Sequence, residues 1–197
     1  MQRPILIVVT LTLAAALVWM LLFWQPQDER HATVPLQEIP QGGDFSFDSY
    51  RGEVSLKEFR GSVVLLYFGY TWCPDICPTN LSMISTILDE FPVEERARVQ
   101  PIFISVDPAR DSVQRLKEYV EYFHPSLLGL TGDESALTEV AEQYGAAYKI
   151  HAKQGDDNYV VDHTADTYLI DTHGKLAKIL PHGTDLEVLM AAVRELL

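Results

Sequence analysis

Uncharged residues fill positions 5–24 without a break. As a helix, twenty such residues reach about 30 Å, enough to cross a bilayer core. Residues 25–43 are rich in Gln, Pro and Gly, lack periodicity and read as a tether. After it the pattern becomes that of a folded domain. Residues 45–47 alternate as a strand does, 50–52 can turn, and 53–55 can pair back as a hairpin, with a helical turn at 56–59 before Gly61. Residues 63–68 (VVLLYF) and 100–106 (QPIFISV) are runs of the kind buried on both faces of a sheet. Between them Leu81, Ile84, Ile87 and Leu88 recur at helical spacing up to Phe91-Pro92. Asp111 and Gln114 fit a capping box opening a helix that runs to Phe123. A short strand is expected at 127–130, a helix at 135–144 stopped by Gly145, and extended chain at 148–151. A polar loop (153–158) leads to a strand at 166–170, a turn at 171–174 and a returning strand at 175–180. Thr184 and Glu187 suggest a second capping box before an amphipathic helix to Leu197.

Strands alternating with helices, closed by a hairpin and a helix, predict an α/β fold with a parallel centre and an antiparallel edge. The expected organisation is an anchor at 1–24 that forms one N-terminal transmembrane helix, a linker at 25–43 and a domain at 44–197. A cleaved signal peptide fits less well, because its apolar region is normally shorter and Ala14-Ala15-Ala16 lies inside the run. Arg3 and the amino terminus precede the span while Asp28 and Glu29 follow it. The positive-inside tendency then leaves the domain outside, so a bacterial inner membrane with a single pass and a periplasmic domain is the expected location.

The formal net charge is −13, from 15 basic and 28 acidic residues, and that argues against nucleic acid as a partner. The chain has only two cysteines, Cys73 and Cys77, too few for a disulfide framework. They fall where a buried strand hands over to a helix, flanked by Pro74 and Pro78. A helix N-terminus favours thiolate over thiol. At C-x-x-x-C spacing in a helix both sulfurs share a face, with Cα atoms about 6 Å apart, which suits a disulfide or one metal ion. Inert burial is the bland alternative, and a structural zinc lacks its further ligands.

Six histidines are candidates for a third ligand. His31 lies in the tether, His173 in a turn and His182 in a loop, all expected to be solvated. His124 ends a helix, where a cation complements the dipole, and His151 adjoins a polar loop. His163 enters the 166–170 strand, where thioredoxin-like proteins place a proline loop facing their redox cysteines. The residue pattern alone leaves it as either a ligand or a core histidine.

The segments YFGYTWCPDICPTNL, PIFISVDPARD, LTGD and VDHTADTYLID, in this order and spacing, resemble the Sco/SenC family. The resemblance covers the chain from about Gly43 to the C-terminus and extends to the single anchor. It implies a thioredoxin-like central sheet flanked by helices. It also implies copper, Cu(I) or Cu(II), held by Cys73, Cys77 and His163, and delivery to the copper A centre of cytochrome c oxidase subunit II. Two thiolates and an imidazole suit that ion. The thiols must be reduced before they can bind it, which implies a partner thiol reductase or the protein's own use as a reductant. A periplasmic copper donor is a further expected partner. The competing reading is a thiol–disulfide reductase, with Cys73 and Cys77 as its redox pair, that keeps the copper A cysteines reduced. A peroxidase is disfavoured, since Tyr70 stands where peroxiredoxins carry threonine. Asp75 can adjust the thiols or sit in solvent, and Asp162 can fix the His163 tautomer or bond a strand end. Asp107, Arg110 and Asp111 are expected to tie a loop by an ion pair and a cap. Tyr70 and Trp72 either rim the site or pack.

Overall fold

The computed structural model describes residues 40–151 and 159–197, together with Thr12, Leu17 and Trp19. The chain divides into two units, Met1–Glu38 and Ile39–Leu197. In the first unit the three described residues are helical. The expected span at 5–24 otherwise lies outside the described residues, as do most of the linker and His31. Among the described residues no helix is long and apolar enough to cross a membrane.

The second unit is built on a five-stranded sheet. Strand β3 (Val63–Gly69) lies at its centre, parallel to β4 (Val99–Ser105), which is parallel to β5 (Leu128–Leu130). On its other side β3 pairs antiparallel with β8 (Thr167–Ile170), and β8 with β9 (Leu176–Leu180). The parallel centre and antiparallel edge are as the apolar runs predict. Every residue of β3 is buried, because both faces of the sheet are covered. Successive side chains point to opposite faces. Val64, Leu66 and Phe68 therefore join one cluster, with Phe45, Leu137 and Tyr144, while Val63, Leu65 and Tyr67 join another, with Leu81, Leu116 and Val193.

The second cluster carries helix α1 (Ile76–Glu90), which begins just after Cys73 and contains Cys77. A short helix α2 (Val93–Arg96) follows, and α3 (Val113–Phe123) and α5 (Leu186–Leu196) cover the same face. Helix α4 (Glu134–Tyr144) covers the opposite face and ends at Gly145, whose φ of 71° is cheap only for glycine. The N-terminal hairpin of β1 (Ser46–Ser49) and β2 (Gly52–Ser55) packs on that face and leads into a 3₁₀ turn, Leu56–Phe59. A separate two-stranded arm, β6 (Tyr148–Ile150) paired antiparallel with β7 (Val161–His163), precedes β8.

Two expected helix starts are corrected. Helix α3 is capped by Ser112, whose side chain accepts from the Arg115 N–H, and not by Asp111. Asp111 is wholly buried and engaged elsewhere, so it cannot serve the exposed helix end. Helix α5 starts after Asp185 with no side-chain cap, because the Thr184 hydroxyl donates instead to the Pro181 carbonyl at 2.7 Å.

Candidate metal centre

The carboxyl end of β3 delivers the chain into a turn, Tyr70 to Trp72, that ends at Cys73. Cys77 sits one helical turn later, in the first turn of α1. Cys77 is fully buried against the sheet while Cys73 is half-buried. His163 closes β7, outside the central sheet, and does not enter the following strand as expected. Its Nε2 lies 3.3 Å from the Cys77 sulfur. One donor atom from each of Cys73, Cys77 and His163 lies within 4.8 Å of the other two. A metal bonded to sulfur and imidazole at roughly 2.0–2.3 Å holds such donors about 3.5–4 Å apart, so small side-chain rotations complete a three-coordinate site.

The tautomer of His163 suits a ligand. Its Nδ1 lies 2.9 Å from the Thr164 carbonyl, which can only accept, so Nδ1 carries the proton and the Nε2 lone pair faces the sulfurs. That carbonyl fixes the ring, and Asp162 does not. Adjacent residues of a strand point to opposite sides, and the Asp162 carboxylate lies 2.6 Å from His151 on the exposed side of the arm. Tyr67 and Tyr70 hold the His163 ring edge-on, with centroids 6.1 and 5.7 Å away.

The two thiols differ electrostatically. The Cys73 thiol is drawn down to about 3, first by a hydrogen bond from Cys77, with backbone N–H groups adding to it. The Cys77 amide donates to that sulfur at 3.5 Å, so the start of α1 faces a thiolate. Cys77 is pushed the other way, first by its hydrogen bond to Cys73 and then by burial. Without metal the pair is one accessible thiolate and one buried thiol. A cleft of about 290 Å³ opens above them, walled in part by Tyr70, Pro74, Ile76 and Val160.

The SCO1/SenC family model matches residues 34–197. The chain belongs to that family. An SCO2-like protein of Rickettsia conorii is 37% identical over 179 residues, covering 88% of this chain and 87% of the relative. The solution structure of apo Sco1 from Thermus thermophilus matches with a TM-score of 0.73 and 38% identity, covering 80% of this chain and 92% of that one. The copper-bound structure of ScoI from Bradyrhizobium japonicum matches with a TM-score of 0.71 and 36% identity, covering 79% of this chain and 99% of that one. The fold is therefore thioredoxin-like, and Cys73, Cys77 and His163 form a candidate copper site in a Sco-family domain. Their donor set fits the ion: soft sulfur with one imidazole nitrogen, and an open side toward the cleft.

The other residues singled out by sequence in this Sco domain lie outside the donor set. Tyr70 is buried against His163, whereas Trp72 is half-exposed, with Arg115 4.6 Å and Arg110 5.6 Å from its ring. Asp107 and Arg110 form the expected ion pair at 2.6 Å. Asp75 precedes α1, exposed and making no capping bond. His173 and His182 are exposed as expected, and the His182 Nδ1 also lies 3.0 Å from the side-chain oxygen of buried Asn80. His124, at the end of α3, is held by Ser126, and burial lowers its pKa, so a standing cation does not explain it.

Two further residues that shape the site escaped the sequence reading. Asn80, on α1, donates to the Ala165 carbonyl at 3.0 Å and so ties the cysteine helix to the chain just beyond His163. Its signal was an amide beside apolar Leu81 on a helix whose neighbouring turns are apolar. Gly69 ends β3, and a Cβ built there would lie 2.7 Å from the Cys77 sulfur and 2.8 Å from Phe103. A glycine closing an otherwise bulky strand was its signal.

Proposed function

We propose that this protein is a membrane-anchored copper chaperone that delivers copper to the copper A site of cytochrome c oxidase subunit II. Membership of the Sco family supports the general part, copper binding in the service of cytochrome c oxidase assembly. The observation that carries the reading here is the meeting of Cys73, Cys77 and His163 donor atoms within 4.8 Å of one another. In this reading residues 1–24 anchor the chain in the inner membrane, 25–43 form a tether, and 44–197 carry copper in the periplasm. The cysteines and His163 bind the cargo. The cleft side stays open, so an acceptor's thiolate or imidazole can replace them one at a time. A periplasmic donor supplies the ion, and a thiol reductase keeps Cys73 and Cys77 available.

An anaerobic copper titration of the reduced protein tests this. One equivalent should bind, with thiolate-to-Cu(II) charge-transfer bands for the oxidised ion. Replacing Cys73, Cys77 or His163 singly should abolish tight binding. A His163→Ala protein that binds copper as the parent does would end the proposal.

A second reading, a thiol–disulfide reductase acting on the copper A cysteines, is favoured by the asymmetry of the pair. Here the Cys73 thiolate attacks a partner disulfide, giving a mixed disulfide and releasing one partner thiolate. Cys77 then loses its proton to solvent, attacks Cys73 and releases the second partner thiolate, so two electrons leave the pair as it closes its own disulfide. A Cys73–Cys77 reduction potential above that of the oxidised acceptor site would exclude it.

A further inference from the structure

The SVDPARD segment, residues 105–111, lies outside the donor set, yet its side chains reach both parts of the chain that supply it. Asp111 serves the cysteine side. Its carboxylate accepts from the Thr71 N–H at 2.9 Å, from the Thr71 hydroxyl at 2.6 Å and from the Ser105 hydroxyl at 2.7 Å. Thr71 stands two residues before Cys73, so a buried carboxylate fixes the approach to the half-buried sulfur. Asp107 serves the histidine side. It accepts from Arg110 Nε and from the Tyr159 hydroxyl, both at 2.6 Å. Arg110 in turn donates to the Tyr159 carbonyl at 2.9 Å and lies 3.5 Å from the centroid of its ring.

Tyr159 precedes His163 by four residues, about 13 Å of extended chain. The intervening strand β7 pairs with β6 and is not hydrogen-bonded into the central sheet. Two strands of three residues have little stability of their own. Where such an arm sits against the domain is therefore set by what grips its ends. Asn80 grips the end beyond His163 through the Ala165 carbonyl. The Asp107–Arg110 pair grips the end before it.

We infer that Asp107, Arg110 and Tyr159 form a positioning clamp that sets the reach of His163 toward the cysteines, with Asp111 referencing Cys73 to the same short loop. The inference rests on the copper-site reading above. Loss of a group that orients a metal ligand commonly lowers affinity about 10–100-fold. Tyr159→Phe removes one hydroxyl and keeps the ring over Arg110. It should weaken Cu(I) binding about tenfold in competition with a chromophoric chelator, while the Cys73–Cys77 reduction potential stays at the parent value. In a His163→Ala background the same change should cost nothing more, since a clamp acting through the imidazole has nothing left to position.

Tyr159→Phe with parental copper affinity would overturn the clamp, and so would a loss that persists undiminished in the His163→Ala background. If Tyr159→Phe does not fold, Asp107→Asn enters the same cycle with the same expectations. The failure of the copper reading looks different: His163→Ala itself would then leave binding intact.

Discussion

The imidazole Nε2 of His163 lies 3.3 Å from the sulfur of Cys77, although 86 positions separate the two residues in the chain. A metal bound between them closes that loop and rewards only the folded state. At free copper about 1,000 times the dissociation constant, the linkage amounts to up to about 4 kcal/mol, less whatever the unfolded thiols bind. Urea unfolding of the reduced protein with buffered Cu(I) should show most of this gain in the parent and little of it in His163→Ala. An equal gain in both would place the metal elsewhere.

Gly69 should tolerate no side chain. In Gly69→Ala the new methyl would meet the Cys77 sulfur at 2.7 Å and the Phe103 ring at 2.8 Å, both in fully buried surroundings. Overpacking of this kind costs about 1–3 kcal/mol. Denaturant midpoints should fall accordingly, and copper affinity should fall as well, because the displaced atom is a proposed ligand. Loss of stability with unchanged affinity would mean that Phe103 alone moves.

Cys73 should react as a thiolate far below the ordinary thiol range. Its pKa lies at about 3 in the folded protein, chiefly through the hydrogen bond from Cys77. Alkylation of the reduced protein by iodoacetamide should stay at Cys73 and proceed at nearly constant rate from pH 8 to pH 5. An ordinary cysteine, with a pKa of about 8.5, slows roughly tenfold per pH unit over the same range. A depressed Cys73 contributes fully to stability above about pH 8.5, and the contribution is lost as pH falls toward about 3. Cys77 is raised, so its contribution holds below about pH 8.5 and is lost as pH climbs beyond it. Alkylation that tracks an ordinary thiol titration would remove this asymmetry.

Asp162 and Asn80 should separate cleanly. Asp162 pairs with His151 on the exposed side of the arm, and exposed pairs contribute about 0–1 kcal/mol. Asp162→Asn should therefore leave copper affinity within about threefold, well under one pKa-unit equivalent of free energy. Asn80→Ala leaves the Ala165 carbonyl and the His182 ring without their partner, at a cost of about 1–3 kcal/mol. Its denaturation midpoint should fall and its copper affinity weaken. The reverse ranking in a chelator competition would restore Asp162 as the residue that orients His163.

The hydrophobic pattern determined the sheet core and most helices, because buried strands and amphipathic helices leave local periodicities that no tertiary contact is needed to read. Residues 63–68 and 100–106 became neighbouring parallel strands, and the two cysteines fell where strand meets helix. Local sequence did not settle the partners of polar groups. Asp111 and Gln114 had the spacing of a capping box, yet burial turned Asp111 toward Thr71 and Ser105 and left Ser112 to cap the helix. Asp162 adjoins His163 in sequence but faces away, since strand geometry points neighbours to opposite sides. The clamp on Tyr159, the amide of Asn80 beneath Ala165 and the Phe103 ring against the bare backbone of Gly69 are likewise contacts between distant segments. Each depends on distances that exist only once the sheet has brought those segments together.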